Sequence, residues 1–569
     1  MKVRSLSGKL LGMVLCAQAA WAATRTWTDT SGDHLWSTTN NWSGNAVPGS
    51  ADVATFDTTA TGTNVADGVF LLSQLYYGTN GTTFFETQVG PGQSVTVPSG
   101  VQVAYHSGIL SPTCRVDVTG GGALRIGGYL YVGTRGFSGG NYPDGRLAVR
   151  GGAFALTNMG TLYAGYNAHT ICAVSGVVDV SEASVESDGV ANRFAVRNTL
   201  AVGYRRAFGA LKLPPAVTNL TCGNLWIGAS YIGNAFPYSV LDLGTNPALT
   251  SVVITNDAMI NKAFITYHDG SMQKTGFPPN VAVRIGAPGA PGRLKLASVY
   301  ATDADVRWKG FRRFEAWLRL LYLGQDENGA GGPAYGELDL TDTNTIELAG
   351  SITTGSMAVA DVQIGGHDAW GSGRLMLPPS VTNIVLGTLH LGYQYNLYDM
   401  SYSAFDLGSN SQLRALTVSN EFRIGRGYFV YVDGGGNTVT GTPPNLRLRV
   451  GSPSARATYF NVGDATYIGT VCRFGAGVSD VEAYATNVTI GRGGWMNHQV
   501  TSVLDLRGAT NLVFDIAGPV NIGANPGCGS YAYLYGGPGS PGGRASASAL
   551  TLGRPYSASY TWYRGLLVV

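Results

Sequence analysis

One short segment brings basic and acidic side chains together: Lys309-Gly-Phe-Arg312-Arg313-Phe-Glu315. A positioned base beside acidic groups is what a carbohydrate-active enzyme such as a polysaccharide lyase needs to abstract a proton. The same residue types occur on an ordinary charged strand, so the motif is weak. We therefore predict a solvated strand here and keep proton abstraction by Arg312 or Arg313 as the alternative.

A second set of candidate residues is the aspartate of a recurring motif, Φ-Asp-Φ, in which Φ is an apolar residue. Carboxylates stacked on neighbouring strands would bind cations along one face. Because side chains alternate along a strand, these aspartates can also simply point outward into solvent without binding a cation. We adopt this second interpretation as the prediction. The phrase occurs at Asp242, Asp339, Asp406 and Asp505, with relatives at Asp117 and Asp179.

Tyrosine and tryptophan residues recur at alternate positions that should face outward. An outward ladder of aromatic rings would let sugar rings stack on it. Aromatic residues on neighbouring strands also stabilise a sheet by packing against each other, which is the commoner role. The residues concerned are Tyr131, Tyr163, Trp226, Tyr322 and Tyr467.

The six cysteines and seven histidines form no zinc, metalloprotease or nucleophile motif. We predict that the cysteines are small buried apolar residues, with one or two disulfides as the alternative in an oxidising compartment. We predict no catalytic residue, no cofactor and no metal. The cysteines are Cys16, Cys114, Cys172, Cys222, Cys472 and Cys528.

Short strands that end in glycine would carry all these residues. The phrase x-Φ-x-Φ-Gly, in which Φ is apolar, occurs sixteen times, for example as Leu130-Tyr-Val-Gly133. Its two apolar residues point to one face of a strand, and the glycine allows a positive φ or a close backbone approach. Many copies of one strand and turn predict an all-β fold, a parallel β-helix (β-solenoid). The glycines are Gly127, Gly133, Gly165, Gly203, Gly228, Gly286, Gly324, Gly365, Gly392, Gly425, Gly451, Gly463, Gly469, Gly491, Gly523 and Gly553.

A longer repeat indicates that a block of coils is duplicated. Leu213-Pro-Pro-Ala-Val-Thr-Asn219 recurs as Leu377-Pro-Pro-Ser-Val-Thr-Asn383, and Leu241-Asp-Leu-Gly244 recurs at the same offset as Phe405-Asp-Leu-Gly408. Matches at a constant offset of about 164 residues favour duplication over coincidence of composition. The predicted segments are a signal peptide at 1–22, an N-terminal Trp-rich cap with first strands at 23–110, β-solenoid repeats at 111–555 with the duplicated block at 200–290 and 364–455, and a C-terminal cap or tail at 556–569.

Composition agrees with many short strands. Glycine accounts for 81 of 569 residues, about twice its usual share of about 7%. Only 13% of residues are charged and the formal net charge is +2, so there is no electrostatic case for nucleic acid or an anionic membrane surface. A disordered chain would show the opposite balance of charge and hydrophobicity.

The segment 1–22 has the pattern of a secretory signal. Lys2, Arg4 and Lys9 precede a short apolar run, and Ala20-Trp-Ala22 fits a small-x-small cleavage site. The run is too short to cross a bilayer, which takes about 20 residues. We therefore expect an exported chain with no transmembrane segment after cleavage near Ala22.

The segment after the signal differs from the repeats. Trp27, Trp36 and Trp42 cluster there, before Val47-Pro-Gly49, Asp52 and Phe56. A repeat array needs an atypical terminal unit to cover its first open coil, and three tryptophans would supply that apolar cover. A sugar-binding module is the alternative.

The pattern Trp-x5-Trp-Ser-x3-Val-Pro-Gly-x2-Asp-x3-Phe, followed by glycine-rich strands, resembles the autotransporter-associated β-strand repeat proteins and related secreted solenoids of Gram-negative bacteria. The resemblance covers most of the chain at the level of pattern. It implies a parallel β-helix on the cell surface or released from it. A full autotransporter also has a C-terminal membrane barrel, and here solenoid phrases continue to Gly553.

We therefore predict an exported, non-enzymatic β-solenoid with a structural or adhesive role at the cell surface. Its expected partners are surface glycans or other surface proteins. The alternatives are a carbohydrate-active β-helix enzyme, and a passenger whose translocator is a separate chain.

Overall fold

A computed structural model describes most of the chain. The described ranges are 22–78, 81–106, 112–135, 143–167, 174–204, 207–228, 238–297, 304–326, 334–341, 345–348, 356–367, 371–394, 403–408, 412–465, 471–475, 477–493, 500–523, 530–535, 544–552 and 564–568. The predicted signal peptide, apart from Ala22, lies outside the described residues. So do Tyr467, Gly469, Gly553, Cys172 and Cys528.

The described residues form strands that we number in chain order. The first are β1 Thr24–Thr26, β2 Val53–Phe56, β3 Gly62–Ala66, β4 Val69–Leu71, β5 Gln74–Tyr77, β6 Thr82–Val89, β7 Ser94–Val97, β8 Gly100–His106, β9 Thr113–Thr119, β10 Ala123–Ile126, β11 Tyr129–Arg135, β12 Asp144–Val149, β13 Ala153–Leu156, β14 Thr161–Asn167, β15 Val174–Asp179, β16 Ser184–Ser187 and β17 Val190–Ala191. Next come β18 Arg193–Tyr204, β19 Ala207–Lys212, β20 Asn219–Ile227, β21 Ser239–Thr245, β22 Ser251–Ile254, β23 Asp257–Ile260, β24 Ala263–His268, β25 Gln273–Thr275, β26 Ala282–Ile285, β27 Gly292–Leu296, β28 Ala304–Trp308, β29 Arg313–Ala316, β30 Leu318–Asp326, β31 Ala334–Asp339, β32 Thr345–Leu348, β33 Ser356–His367 and β34 Gly371–Met376. The last are β35 Asn383–Gln394, β36 Ser403–Asp406, β37 Ala415–Ile424, β38 Gly427–Val432, β39 Thr438–Thr440, β40 Leu446–Val450, β41 Ala457–Ala465, β42 Val471–Phe474, β43 Val478–Gly493, β44 Val500–Asp505, β45 Asn511–Ile516, β46 Pro519–Ile522, β47 Ser530–Tyr535, β48 Arg544–Ser546, β49 Ala549–Leu552 and β50 Arg564–Val568.

The predicted all-β parallel β-helix is confirmed. Twenty-five of these strands form one long sheet, here called the main sheet. A second side consists of β4, β7, β10, β13, β16 and β17, and from β18 onward the corresponding segments join the main sheet. The third side, here called the third face, is built from three successive sheets. They are β3, β6, β9, β12, β15, β19, β21, β24 and β25; then β28, β31, β34, β36, β38 and β39; then β42, β44, β47 and β50.

The core consists of apolar ladders that run along the solenoid. Leu130, Leu162 and Leu200 pair in register on β11, β14 and β18, and each is fully buried at 0% exposure. Strands that are one coil apart lie about 4.8 Å from each other, so each leucine stacks on the next. The strands thus bury the first Φ of the phrase, as alternation predicts.

Phrase glycines such as Gly165 form corners between the main sheet and the third face, whereas Gly127 lies between β10 of the second side and β11 of the main sheet. Twelve of the sixteen have a positive φ, while Gly127 and Gly425 do not. At Gly165, φ is 73° and a Cβ would overlap the carbonyl oxygen of Phe208 on β19. The prediction that glycine serves a turn and a close approach is therefore confirmed at this corner.

Antiparallel hairpins end the first two sheets of the third face. Strand β25 folds back on β24, and β39 folds back on β38. Their turns begin at Asp269 and Asp433, which correspond to each other at the offset of the duplicated block. The repeat seen in the sequence therefore recurs as two equivalent interruptions of the third face.

The N-terminal tryptophans are buried rather than displayed. Trp27, Trp36 and Trp42 are at most 2% exposed and pack with Phe56. The Trp36 indole N–H donates to Asn64 Oδ1 at 2.8 Å. Because the rings are buried, they offer no face on which a sugar could stack. The role of this segment as a cap stays a prediction.

Most of the region from Val306 to Leu321 is extended, in β28, β29 and β30. The helical structure among the described residues is a single 3-10 turn, Thr39–Asn41. None of the described helices is therefore of the length and apolarity that crossing a membrane requires.

Candidate functional site

The outward positions of the main sheet form one continuous column, with one residue for each coil. Each member is the residue between the two apolar positions of the phrase or its counterpart, and each pairs in register with the next. We call this set the outer column. Its members are Tyr76, Gln102, Tyr131, Tyr163, Ala201, Trp226, Met259, Lys295, Tyr322, Gln363, His390, Arg423, Asn461, Thr489, Asn521 and Thr551.

Three members of the N-terminal half of the outer column belong to a stack of six aromatic rings, which residues beside the column complete. Successive ring centroids lie 4.3 to 5.5 Å apart, and successive planes are tilted by 25° or less. Each interior ring therefore uses both of its faces on neighbouring rings. The six residues are half-buried, and the contact of ring face with ring face supports packing rather than sugar stacking. The rings are Tyr129, Tyr131, Tyr163, Tyr166, Tyr204 and Trp226.

Amide and phenol groups continue the stack toward the N terminus. Gln102 Nε2 donates to the Tyr129 hydroxyl at 3.1 Å, and the Tyr76 hydroxyl donates to Gln74 Oε1 at 2.6 Å. Burial raises the pKa of Tyr76 and of Tyr131 above the usual value. The phenols therefore remain neutral hydrogen-bonding groups at neutral pH, and neither serves as a base.

The C-terminal half of the outer column is polar, and its groups pair with one another. Lys295 Nζ lies 5.0 Å from the centroid of the Tyr322 ring. The Tyr322 hydroxyl donates to Asp361 Oδ2 at 2.9 Å, and Gln363 Nε2 donates to the same hydroxyl at 3.0 Å. The cation–π contact and the hydrogen bonds link three successive coils.

One coil further on, a second polar group surrounds Glu421. His390 Nε2 and Arg423 Nε both lie 3.1 Å from Glu421 Oε2. The hydrogen bond from His390, aided by the Arg423 charge, lowers the pKa of Glu421. Glu421 is therefore ionised at neutral pH and is a poor general acid. Arg423 also lies over the Tyr459 ring, 4.1 Å from its centroid.

The segment that could have carried proton abstraction runs through a short connection into β29, which begins at Arg313. Phe311 and Phe314 are at most 1% exposed, whereas Arg312 and Arg313 are exposed. Arg313 forms an ion pair with Glu315. Arg312 and Arg313 are solvated as predicted, but of the two only Arg313 lies on a strand, and Glu315 is already paired with it.

The aspartates between apolar residues do not match the prediction of full solvation. The side chains of Asp179 and Asp406 are only 4% and 8% exposed. Asp406 Oδ1 accepts the Gly408 N–H at 2.8 Å, and Asp242 Oδ1 accepts the Gly244 N–H at 3.0 Å.

Each of these carboxylates closes a turn at the end of its strand, as aspartate commonly does. Although burial opposes it, hydrogen bonds from Ser181 and nearby cations lower the pKa of Asp179. The prediction was wrong because alternation gives the direction of a side chain, but the local turn decides its partners.

The described cysteines are buried thiols. Cys114, Cys222 and Cys472 are free and at most 1% exposed, which agrees with the apolar interpretation. Burial raises the pKa of the Cys114 and Cys472 thiols to about 12. These thiols are therefore unreactive at neutral pH. No group of three or more metal-ligating side chains comes together among the residues that the structure describes.

Sequence reasoning missed the polar half of the outer column. Lys295, Gln363, His390 and Arg423 occupy the position that Tyr131 and Tyr163 occupy earlier, between the two apolar residues. The signal was therefore present in the phrase itself. Because the coils differ in length, the sequence alone does not show that strands in neighbouring coils pair in a register that places these residues next to one another.

Comparison of the chain with protein-family models, with curated proteins and with solved structures found no match.

Proposed function

We propose that this chain is an exported, non-enzymatic solenoid with a structural or adhesive role at the cell surface. The observation that carries the proposal is the outer column itself. It is a continuous strip of sixteen paired positions. Its charged and aromatic members contact one another, as Lys295 and Tyr322 do, or contact residues beside the column, as Arg423 and Glu421 do. Side chains that satisfy each other along a strip build a stiff surface rather than a reaction centre.

The dimensions fit a rod. Sixteen positions at about 4.8 Å per coil give a strip roughly 70 Å long. Adhesion by such a surface depends on many weak contacts made at once, so no deep pocket is required. The hydroxyl edges of the tyrosine stack are hydrogen-bonding groups that suit a polyhydroxylated partner such as a surface glycan.

The first experiment tests export. Residues 1–22 are fused to a phosphatase that is active only after leaving the cytoplasm. Phosphatase activity supports the proposal, and an inactive, uncleaved fusion contradicts it. A fusion in which Lys2, Arg4 and Lys9 are replaced by glutamate provides the control.

The second experiment tests adhesion by residues 23–569. Beads coated with this protein are applied to a glycan array and to intact cells. The variant Tyr131→Phe/Tyr163→Phe/Tyr166→Phe keeps the stacked rings but removes hydroxyl groups, so it is expected to bind less. Tyr335→Phe removes a hydroxyl from the third face, where Tyr335 donates to Glu337, and is the matched control. If neither glycans nor cells retain the beads, the adhesive role is contradicted.

A second candidate function is a carbohydrate-active enzyme. The observation that favours it is two hydrogen-bonded pairs, Tyr322 with Asp361 and His390 with Glu421, whose side chains are of the types that transfer protons. Incubation with acidic and neutral polysaccharides tests this function. Product formation that disappears in His390→Ala, or in Arg312→Gln/Arg313→Gln, would replace the non-enzymatic proposal.

A further inference from the structure

A cavity of about 220 Å³ opens where the first sheet of the third face ends and the second begins. Strand β24 pairs with β21 and β25, whereas β28 pairs with β31. The two strands that flank the interruption therefore do not pair with each other. The cavity lies in this gap in the wall of the solenoid.

The inner wall of the cavity is apolar. Ile260, Ile265, Val306 and Trp308 line it, and all four are at most 4% exposed. These residues belong to the continuous core of the solenoid. A ligand that enters the gap would thus contact core side chains directly.

The equivalent interruption between β38 and β42 shows what closes such a gap. Phe429 packs against Phe405, and its ring centroid lies 5.4 Å from that of Phe474. Ile265 corresponds to Phe429 at the offset of the duplicated block, and lies opposite Leu241 as Phe429 lies opposite Phe405. Ile265 lacks that ring, and at the first interruption Phe277 packs against Trp308 instead, with 5.5 Å between the ring centroids. The cavity remains beside this pair and is lined by Ile265 and Trp308.

Among the residues that the structure describes, nothing pairs with two polar groups at the cavity. The Trp308 indole N–H is buried and makes no hydrogen bond. Lys309 lies at the exposed rim, without an ion-pair partner among the described residues. The other rim charges, Asp305 and Arg307, pair with each other at 2.9 and 3.0 Å.

We infer that this cavity is a binding site for a small aromatic carboxylate. A dry cavity of about 150 Å³ is large enough for benzene, so the volume here holds one six-membered ring with a short substituent. The ring packs against Ile265 and Val306, and the carboxylate accepts the Trp308 N–H and pairs with Lys309. The inference does not depend on the proposed surface role.

The experiment uses residues 23–569 and three probes: phenylacetate, toluene and acetate. Titration calorimetry and ligand-observed NMR are expected to show saturable binding of phenylacetate, binding of toluene weaker by about tenfold, and no binding of acetate. Absence of saturable phenylacetate binding overturns the inference. Equal affinities for toluene and phenylacetate overturn the assignment of the carboxylate.

Variants locate the site. Ile265→Phe fills the cavity with the side chain found at the equivalent interruption, and is expected to weaken phenylacetate binding by more than tenfold. Ile265→Met fills part of the same space, so it tests the inference if the larger side chain prevents folding. A folded Ile265→Phe protein that binds like the unmodified protein contradicts the site.

Charge variants test the orientation of the ligand. Lys309→Met is expected to weaken phenylacetate binding by about fivefold and to leave toluene binding unchanged. Arg312→Gln removes a nearby exposed cation that does not line the cavity, and is expected to leave both affinities within twofold. Equal losses in the two variants would indicate nonspecific attraction and overturn the role of Lys309.

Discussion

Gly324 lies so close to Ser372 that a Cβ on the glycine would overlap the carbonyl oxygen of the serine. Gly324 ends the phrase on β30 in the main sheet, and Ser372 lies on β34 of the third face, so the contact joins two sides of the solenoid. The φ of Gly324 is 62°, which side chains rarely adopt. The steric overlap and the positive φ both disfavour a Cβ at position 324. Together they determine how closely the two sides of the solenoid approach each other at this corner.

The variant Gly324→Ala is expected to lower the free energy of unfolding by about 2–5 kcal/mol, because left-handed strain and steric overlap add. Gly289→Ala is the matched control: its φ is 80°, but no atom lies within 4 Å of the added Cβ. The control is expected to cost about 1–2 kcal/mol from strain alone. Thermal unfolding followed by circular dichroism measures both, and equal losses would contradict the steric argument.

Asp406 combines a turn and an ion pair, and these can be separated by substitution. Asp406→Asn keeps the acceptor for the Gly408 N–H but loses the charge that pairs with Arg374, and is expected to cost about 1 kcal/mol. Asp406→Ala loses both and is expected to cost about 2–3 kcal/mol.

Asp242→Asn is the comparison for the Asp406 variants. Asp242 Oδ1 accepts the Gly244 N–H in the same kind of turn, and the side-chain oxygen of asparagine can accept this hydrogen bond as well. The substitution is therefore expected to change the free energy of unfolding by less than about 0.5 kcal/mol. Denaturant unfolding measures all three proteins. A loss in Asp242→Asn as large as that in Asp406→Asn would show that the charge of Asp406 is not what matters.

The architecture could be predicted from the sequence because one constraint acts at every coil. A glycine such as Gly165 must turn the chain and admit the backbone at Phe208, so the same phrase returns wherever the corner returns. The partners of Asp179 could not be predicted, since they depend on cations such as Arg146 and Arg150, which come from the preceding coil. Register between coils decides these contacts, and loops of unequal length conceal it.

Glu421 makes stability depend on pH in a defined direction. Its pKa is lowered from the usual value of 4.5 by the hydrogen bond from His390 and by Arg423. A lowered pKa in the folded state means that the unfolded chain binds the proton first as the pH falls. The stabilisation is therefore complete above about pH 4.5 and is lost below it, as Glu421 becomes protonated in the folded state.

Glu421→Gln tests this dependence, because the amide cannot ionise. At pH 7 the variant is expected to be less stable by about 1–2 kcal/mol, the typical value of a hydrogen bond to a charged group. The difference is expected to stay constant down to about pH 5 and to shrink toward pH 3. Chemical unfolding at pH 7, 5, 4 and 3 provides the four values. A difference that persists unchanged at pH 3 would contradict the ionic contribution.

The stacking of Tyr163 on Tyr166 is open to a double-mutant cycle. Their ring centroids lie 4.3 Å apart with an interplanar angle of 10°. The variants Tyr163→Ala, Tyr166→Ala and their combination are expected to give a coupling free energy of about 0.5–1.5 kcal/mol in denaturant unfolding. Tyr131 and Tyr204 belong to the same stack but are separated by other rings, so their cycle is expected to give less than about 0.5 kcal/mol. A coupling near zero for Tyr163 and Tyr166 would mean that the rings do not hold each other's faces. Those faces would then be free for sugar rings, and the outer column would be a stacking platform rather than a packed strip.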